Sequence, residues 1–263
     1  MKKVCIITGA SSGIGRAAAE NMLKRGYKVY GISRRGGDID GVISLCADVT
    51  DEQEILNAVN TVAEESGRID VLINNAGFGI SGAIEFTETE DAEQQFNVNF
   101  FGAVRMCRAV LPIMRKQGFG RIVNIGSVAG DIAIPFQSFY SAAKAALRSY
   151  TLALINEVRE FNITAVCIEP GDIRTGFTAA RHKNTRGDDI YNGRISRSVE
   201  KMENDEQNGM LPETAGKYIA EIASKQSGKP VSIIGGQYKA VGLLKKLLPL
   251  RLTNRIVGAI YAK

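Results

Sequence analysis

A doubly wound α/β fold of the Rossmann type, seven parallel strands with helices on both faces, follows from three observations. Short β-branched apolar runs recur seven times, amphipathic stretches alternate with them, and the first run ends in a glycine-rich turn that opens a helix. Strands that are apolar throughout, rather than at every second position, are buried on both faces, as in a parallel sheet sandwiched between helices. One large domain accommodates them within 263 residues.

The strand runs are "V-C-I-I-T", "K-V-Y-G-I-S", "V-I-S-L-C", "D-V-L-I-N-N", "R-I-V-N-I-G-S", "I-T-A-V-C-I-E-P" and "P-V-S-I-I-G". Helices are expected over residues 15–25, 51–66, 92–116, 141–161 and 212–224, where apolar residues recur at three- and four-residue spacing. The domain is expected to span residues 1–236. Two segments break the alternation. Residues 172–209 form a long polar excursion with scattered apolar residues, expected to act as a substrate lid. Residues 237–263 read as two short basic amphipathic helices parted by Pro249.

Composition narrows the function classes. Apolar residues make up 44% and charged residues 23%, the balance of a folded soluble domain. The net charge of +5 is uneven: residues 222–263 hold eight Lys or Arg and no acid, leaving 25 basic and 28 acidic residues elsewhere. No nucleic-acid binding is therefore expected of the body. Cys5, Cys46, Cys107 and Cys167 lie in apolar runs without a C-x-x-C pair, and are expected to be buried, reduced thiols. The opening "M-K-K-V-C-I-I-T-G" lacks signal-peptide features, and no apolar run approaches the ~18 residues of a spanning helix. A cytoplasmic location is expected. The single histidine, His182, lies in the charged stretch "A-R-H-K-N-T-R-G-D-D" and is expected to be a solvated loop residue, which excludes a Ser-His-Asp triad. No metal-ligand cluster is present.

The turn "T-G-A-S-S-G-I-G-R", residues 8–16, joins the first strand to a helix. Its glycines permit a tight turn, and the helix N-terminus offers free N–H groups and a positive dipole end to a pyrophosphate. The place where an NAD site carries an acid to hold the ribose reads Ser33-Arg34-Arg35 instead. An arginine there suits a 2′-phosphate, so NADP(H) is preferred over NAD(H). Asp48 and Val49 end the third strand, and either contact adenine or begin a helix cap. Asn74 is placed to tie neighbouring strands together, while Ala76 and Gly77 leave room for the nucleotide.

The run "S-F-Y-S-A-A-K" sets Tyr140 and Lys144 one helical turn apart. A phenol ordinarily ionises near ~10, and a neighbouring ammonium favours the phenolate. Such a pair can serve as an acid–base group.

Taken together these residues resemble the short-chain dehydrogenase/reductase family in its single-domain, NADP-preferring branch. The motifs run in order through Thr8-Gly9-x-x-x-Gly13-Ile14-Gly15, Asp48, Asn74-Asn75-Ala76-Gly77, "N-V-N" with Asn99, Ser127, Tyr140-x-x-x-Lys144, and Pro170-Gly171 with Thr175. They cover residues 2–234 without a departure at a catalytic position. The resemblance implies that Tyr140 is the acid–base group, that Ser127 polarises the carbonyl and that Lys144 lowers the Tyr140 pKa. It implies further that Asn99 holds a water in the proton relay. It assigns the cofactor to Gly9, Ser11, Ser12, Gly13, Ile14, Gly15, Ser33, Arg34, Arg35, Asp48, Val49, Asn75, Ala76, Gly77, Tyr140, Lys144, Pro170, Gly171, Ile173 and Thr175. The expected reaction interconverts a ketone and a secondary alcohol. Ile80, Ile132, Ile134, Phe136 and Phe177 lie near the motifs and are expected to face a hydrophobic substrate: steroid-like, acyl or retinoid-like; the lid cations Arg181, Lys183 and Arg186 instead suit an anionic head group. Relatives assemble as homodimers or homotetramers through the helices at 92–116 and 141–161. The basic tail is expected to cover the cleft or a subunit, ranked above a membrane surface. A non-catalytic NADP(H) sensor or scaffold is the competing reading, and the joint presence of Asn99, Ser127, Tyr140 and Lys144 argues against it.

Overall fold

The structure, a computed structural model, describes residues 1–263 apart from the side chain of Lys246. Strands β1 (Val4–Thr8), β2 (Lys28–Ser33), β3 (Val42–Cys46), β4 (Val71–Asn74), β6 (Gly120–Ile125), β7 (Ile163–Pro170) and β9 (Val231–Ile234) build one sheet in the order β3-β2-β1-β4-β6-β7-β9, every pair parallel. All seven expected strands are present. A two-stranded ladder of β5 (Ile80–Ser81) and β8 (His182–Lys183) is additional; strands of two residues carry no period that a sequence could display.

Side chains of each central strand alternate between the two faces, so one apolar run feeds two cores. Ile6, Tyr30, Leu72 and Ile122 pack with α2 (Glu52–Ser66), α4 (Gly102–Gln117) and α5 (Ser138–Glu157) through Ile55, Val59, Met106, Val110 and Leu154. Cys5, Ile7, Val29, Ile73, Val123 and Val166 pack on the other face with α1 (Gly13–Lys24) and α8 (Pro212–Ala223) through Ala18, Met22, Ile219 and Ala220. Each such fully buried aliphatic side chain contributes roughly 1.5–3 kcal/mol. Helices α1 and α8 touch at Gly216, where a Cβ would come 2.5 Å from the carbonyl carbon of Ala17.

Strand β3 is the sheet edge, and its side chains are only partly covered. That corrects one expectation: Cys46 is exposed, whereas Cys5, Cys107 and Cys167 are buried. The helix expected over 92–116 is broken into α3 (Thr89–Phe96), a π-helical turn at Asn97–Phe101, and α4. A π turn inserts an extra residue into a helix and recurs at functional sites; here it holds Asn99, which is 1% exposed.

The 172–209 excursion has structure of its own: α6 (Phe177–Ala180), β8 and α7 (Arg194–Gln207). Ile195 of α7 joins Ala83 and Phe136 in a small third core, to which Tyr191 adds its ring edge-on to Phe136 at 5.6 Å. Phe136 is therefore packed under the excursion rather than open to a cleft. His182 is exposed as expected, but in a strand, with Nδ1 3.7 Å from Asp91 Oδ1. The tail forms α9 (Gly236–Leu247) and α10 (Leu250–Tyr261), parted at Pro249.

Candidate active site

The first strand order reversal lies between β1 and β4, and the segments leaving the carboxyl ends of these strands and their neighbours build the site. Gly9 and Gly13 have φ of +66° and +54°, conformations that L side chains rarely adopt. A Cβ on Gly15 would lie 2.2 Å from the Gly9 carbonyl oxygen, so only glycine lets α1 start this close to the loop. Asn75 locks the arrangement by donating from Nδ2 to the carbonyls of Thr8 and Gly9 at 3.0 and 3.2 Å. The Thr8 hydroxyl in turn accepts from the Asn75 and Ala76 amides at 3.0 and 3.1 Å. Ser11 and Ser12 are exposed at the helix start, and the Ser12 side chain makes no capping bond. Thr175 stands over Gly13, its Cβ 3.4 Å from where a Gly13 Cβ would be. This cradle, with free helix N–H groups and no side chain in its floor, fits a dinucleotide pyrophosphate.

The turn after β2 packs beside the loop, Gly37 against the Cα of Ser11. Arg34 and Arg35 are exposed there, and among the described residues neither is in a salt bridge. Ser33 is turned inward, donating to the Gly36 carbonyl at 2.7 Å. Asp48 Oδ1 accepts from the Thr50 amide and hydroxyl, both at 2.8 Å. The cap of α2 is Asp51, so the helix-cap alternative for Asp48 is not what the structure has. Val49 is taken up by the core, where it packs on Gly102. Asn74 does tie strands together, donating to Asn124 Oδ1 at 2.9 Å.

Ser127 leaves β6 in extended conformation, its Oγ accepting from the Ala129 amide at 3.1 Å. Tyr140 and Lys144 lie one turn apart at the start of α5. Lys144 is 5% exposed and donates from Nζ to the Ile125 carbonyl at 2.8 Å; this Nζ is 5.7 Å from the Tyr140 ring centroid. Asn99 points to the same region but is committed: Oδ1 accepts from the Phe78 amide at 3.0 Å and Nδ2 donates to the Phe78 carbonyl at 2.8 Å. Ser127, Tyr140 and Lys144 thus converge from β6 and α5, with Asn99 held by the loop that follows β4.

Burial raises the Tyr140 phenol to about 12, against an opposing hydrogen-bonding contact from Ser127. Burial also lowers Lys144 to about 8. For both groups desolvation of the charged form is the largest influence.

Among the further participants, Gln95 and Tyr238 were not foreseen. Gln95, wholly buried, donates to the Phe78 carbonyl at 2.7 Å and so supports Asn99 indirectly. Arg181 is buried in an ion pair with Glu206 and lies 5.6 Å from the Phe177 ring centroid. Tyr238 packs on Gly171 and donates to Asp172 Oδ2. Gly171, Ile173 and Tyr238, with Asn208 and Met210, line a cleft of about 390 Å³ behind the Pro170-Gly171 turn. Ile80 is buried, and Ile132 and Ile134 are half-buried.

A family model described as short chain dehydrogenase matches residues 3–186. The chain is 43% identical to the 3-ketodihydrosphingosine reductase of Bacteroides thetaiotaomicron, over 86% of this chain and 85% of that protein. It is 35% identical to the 3-oxoacyl-[acyl-carrier-protein] reductase of Bos taurus, over 76% and 88%. A short-chain dehydrogenase structure from Streptomyces avermitilis superposes with a TM-score of 0.84 at 32% identity, covering 94% and 93% of the two chains. The structure of ElxO with NADP bound gives 0.75 at 28% identity, over 91% and 100%. A Brucella melitensis 3-ketoacyl-(acyl-carrier-protein) reductase with NADH gives 0.75 at 25%, over 90% and 98%. With the glycine cradle, the Tyr140–Lys144 turn and the parallel sheet all in place, the chain belongs to the short-chain dehydrogenase/reductase family and is an oxidoreductase.

Proposed function

We propose that the chain is an NADP(H)-dependent reductase of a keto group near one end of a long apolar acyl or alkyl chain. The convergence of Ser127, Tyr140 and Lys144 beside the glycine cradle carries this reading. When bound, the cofactor would supply the hydride. Tyr140 would give its phenolic proton to the carbonyl oxygen as charge develops there, and Ser127 would donate a hydrogen bond to the same oxygen. A phenol held up to about 12 by burial stays protonated at neutral pH, the form that can give a proton to a carbonyl oxygen. Lys144, fixed by the Ile125 carbonyl, would hold the nicotinamide ribose and, when charged, ease proton loss from Tyr140. With its carboxamide bound to Phe78, Asn99 would serve the proton relay through its main-chain carbonyl, in the widened π turn.

Arg34 and Arg35 support NADP(H): exposed cations beside the loop suit a 2′-phosphate, and no carboxylate lies beside them in sequence to repel one. The names of two relatives, 3-ketodihydrosphingosine reductase and 3-oxoacyl-[acyl-carrier-protein] reductase, both describe reduction of a keto group on a third carbon. They favour the acyl-like option over the steroid-like and retinoid-like ones. Residues 172–209 would act as the lid, with Phe177 against Tyr140. A cytoplasmic homodimer or homotetramer completes the reading, assembled through the stretch from α3 to α4 and through α5, where Phe101 of the π turn and Leu152 of α5 are exposed.

The test is NADPH absorbance with long-chain 3-oxoacyl thioesters and 3-keto amines, repeated with NADH. Turnover of a 3-keto compound with preference for NADPH is expected. Tight NADPH binding without turnover of any ketone would instead favour the nucleotide-sensing alternative.

A further inference from the structure

We propose that the C-terminal helix pair docks on an anionic lipid surface. Leu243, Leu244 and Leu247 of α9 are 64%, 52% and 75% exposed. Leu252, Ile256 and Ile260 of α10 are 44%, 42% and 49% exposed. Spacings of three and four residues put each trio on a single stripe of its helix. Another face of α10 is already used. Val257 is buried, the Tyr261 hydroxyl donates to Asp205 at 3.1 Å, and Arg194 of α7 donates to the Ala262 carbonyl at 2.7 Å. The tail is thus fastened to the lid on one side and apolar on the other.

Charge selects the partner. Residues 236–263 contain six Lys or Arg and no acid; Lys245 is paired with Asp131, while Lys239, Arg251, Arg255 and Lys263 are exposed. Seating a second copy on this face would bring two cationic sets together with no counter-charge between them. Anionic lipid supplies hydrocarbon for the leucine stripes and negative headgroups for exposed Lys239, Arg251 and Arg255. Among the described residues no helix is long and apolar enough to cross a membrane, so the pair would lie in the interface plane.

Docking would act on the site directly. Helix α9 begins where β9 ends, with Tyr238 stacked on Gly171, and α10 closes on the lid helix α7. If the substrate is the long-chain ketone proposed above, this orientation sets the cleft at the surface where such a molecule dissolves. That consequence rests on the proposed function; the docking does not.

The experiment is co-sedimentation of the full chain with phosphatidylglycerol–phosphatidylcholine vesicles and with phosphatidylcholine vesicles, at low and high salt. Binding to the anionic vesicles should exceed that to the zwitterionic ones by about tenfold or more, and should fall with salt. Leu247→Asp/Ile256→Asp should abolish it, and Arg251→Glu/Arg255→Glu should weaken it by about tenfold or more. Thermal melts followed by circular dichroism verify folding. Should the aspartate pair prove unfolded, the glutamate pair decides. The proposal is overturned by absence of sedimentation, by equal binding to both vesicle types, or by unchanged binding of a folded variant. A concentration-dependent dimer that the aspartate pair breaks, with no vesicle binding, would give the face to a second copy instead. No arm reads activity, so failure here leaves the reductase reading standing.

Discussion

Phe177 of the 172–209 excursion meets Tyr140 edge-on, with ring centroids 5.6 Å apart and planes at 61°. The same phenylalanine carries the Arg181 guanidinium 5.6 Å from its centroid and lies against Gly79, where a Cβ would come 2.9 Å from Cζ. Tyr140, the proposed proton donor, is thus walled by Phe177, with which a substrate would share space. Phe177→Ala should alter the chain-length profile, raising KM for long 3-keto substrates while leaving kcat on a small ketone within a few-fold of the parent. Steady-state kinetics across a homologous series checks this; an unchanged profile would remove Phe177 from the substrate wall.

Arg181 and Glu206 tie α6 to α7 within that excursion. The Arg181 side chain is wholly buried, and Glu206 also accepts from the Thr178 hydroxyl at 2.6 Å. Removing one partner of a buried pair leaves an uncompensated charge and costs about 3–5 kcal/mol. Arg181→Met should therefore lower stability by that order, and Arg181→Met/Glu206→Met should recover much of it. Urea denaturation of the three proteins measures the difference.

Arg34 and Arg35 govern cofactor choice in the proposed reading. A charge-assisted hydrogen bond contributes about 1.5–3 kcal/mol, so Arg34→Ala/Arg35→Ala should raise KM for NADPH by about tenfold to a hundredfold. KM for NADH should move little. Equal changes for both cofactors would contradict a 2′-phosphate contact.

Glu169, 1% exposed at the end of β7, gives stability a pH slope away from the reacting atoms. Burial raises its carboxyl from 4.5 to about 7, partly offset by Arg148, whose Nη1 is 3.4 Å away. Arg148 in turn pairs with Asp131 at 2.6 Å, and Lys245 of α9 pairs with Asp131 at 2.8 Å. With the folded pKa raised, the native state holds a proton that the unfolded chain has released. The contribution is complete below pH 4.5 and is lost as pH rises through about 7. Its ceiling is about 3 kcal/mol. Glu169→Gln should flatten this slope and be the more stable protein at pH 8, as denaturant midpoints across that range would register.

The sheet was legible because its central strands are apolar along their whole length, and the cradle because Gly9, Gly13 and Gly15 follow a strand and open a helix. What periodicity cannot carry is position within the finished fold. Cys46 looks like any strand cysteine until β3 is known to be the edge. Phe136 reads as a cleft residue until Ile195, some sixty positions later, covers it. Arg181 stands in a polar run that suggests solvent, and only the packing of α6 on α7 buries it. The same applies to the Tyr140–Lys144 pair: its spacing was evident, but burial, which sets both pKa values, comes from distant segments.

Replacing Tyr140 by phenylalanine tests the central claim most directly, since only the hydroxyl is removed. Tyr140→Phe should lose at least about 10²–10⁴-fold in kcat, with NADPH affinity by fluorescence titration within a few-fold of the parent. A variant that still reduces its ketone at the parent rate would contradict the account.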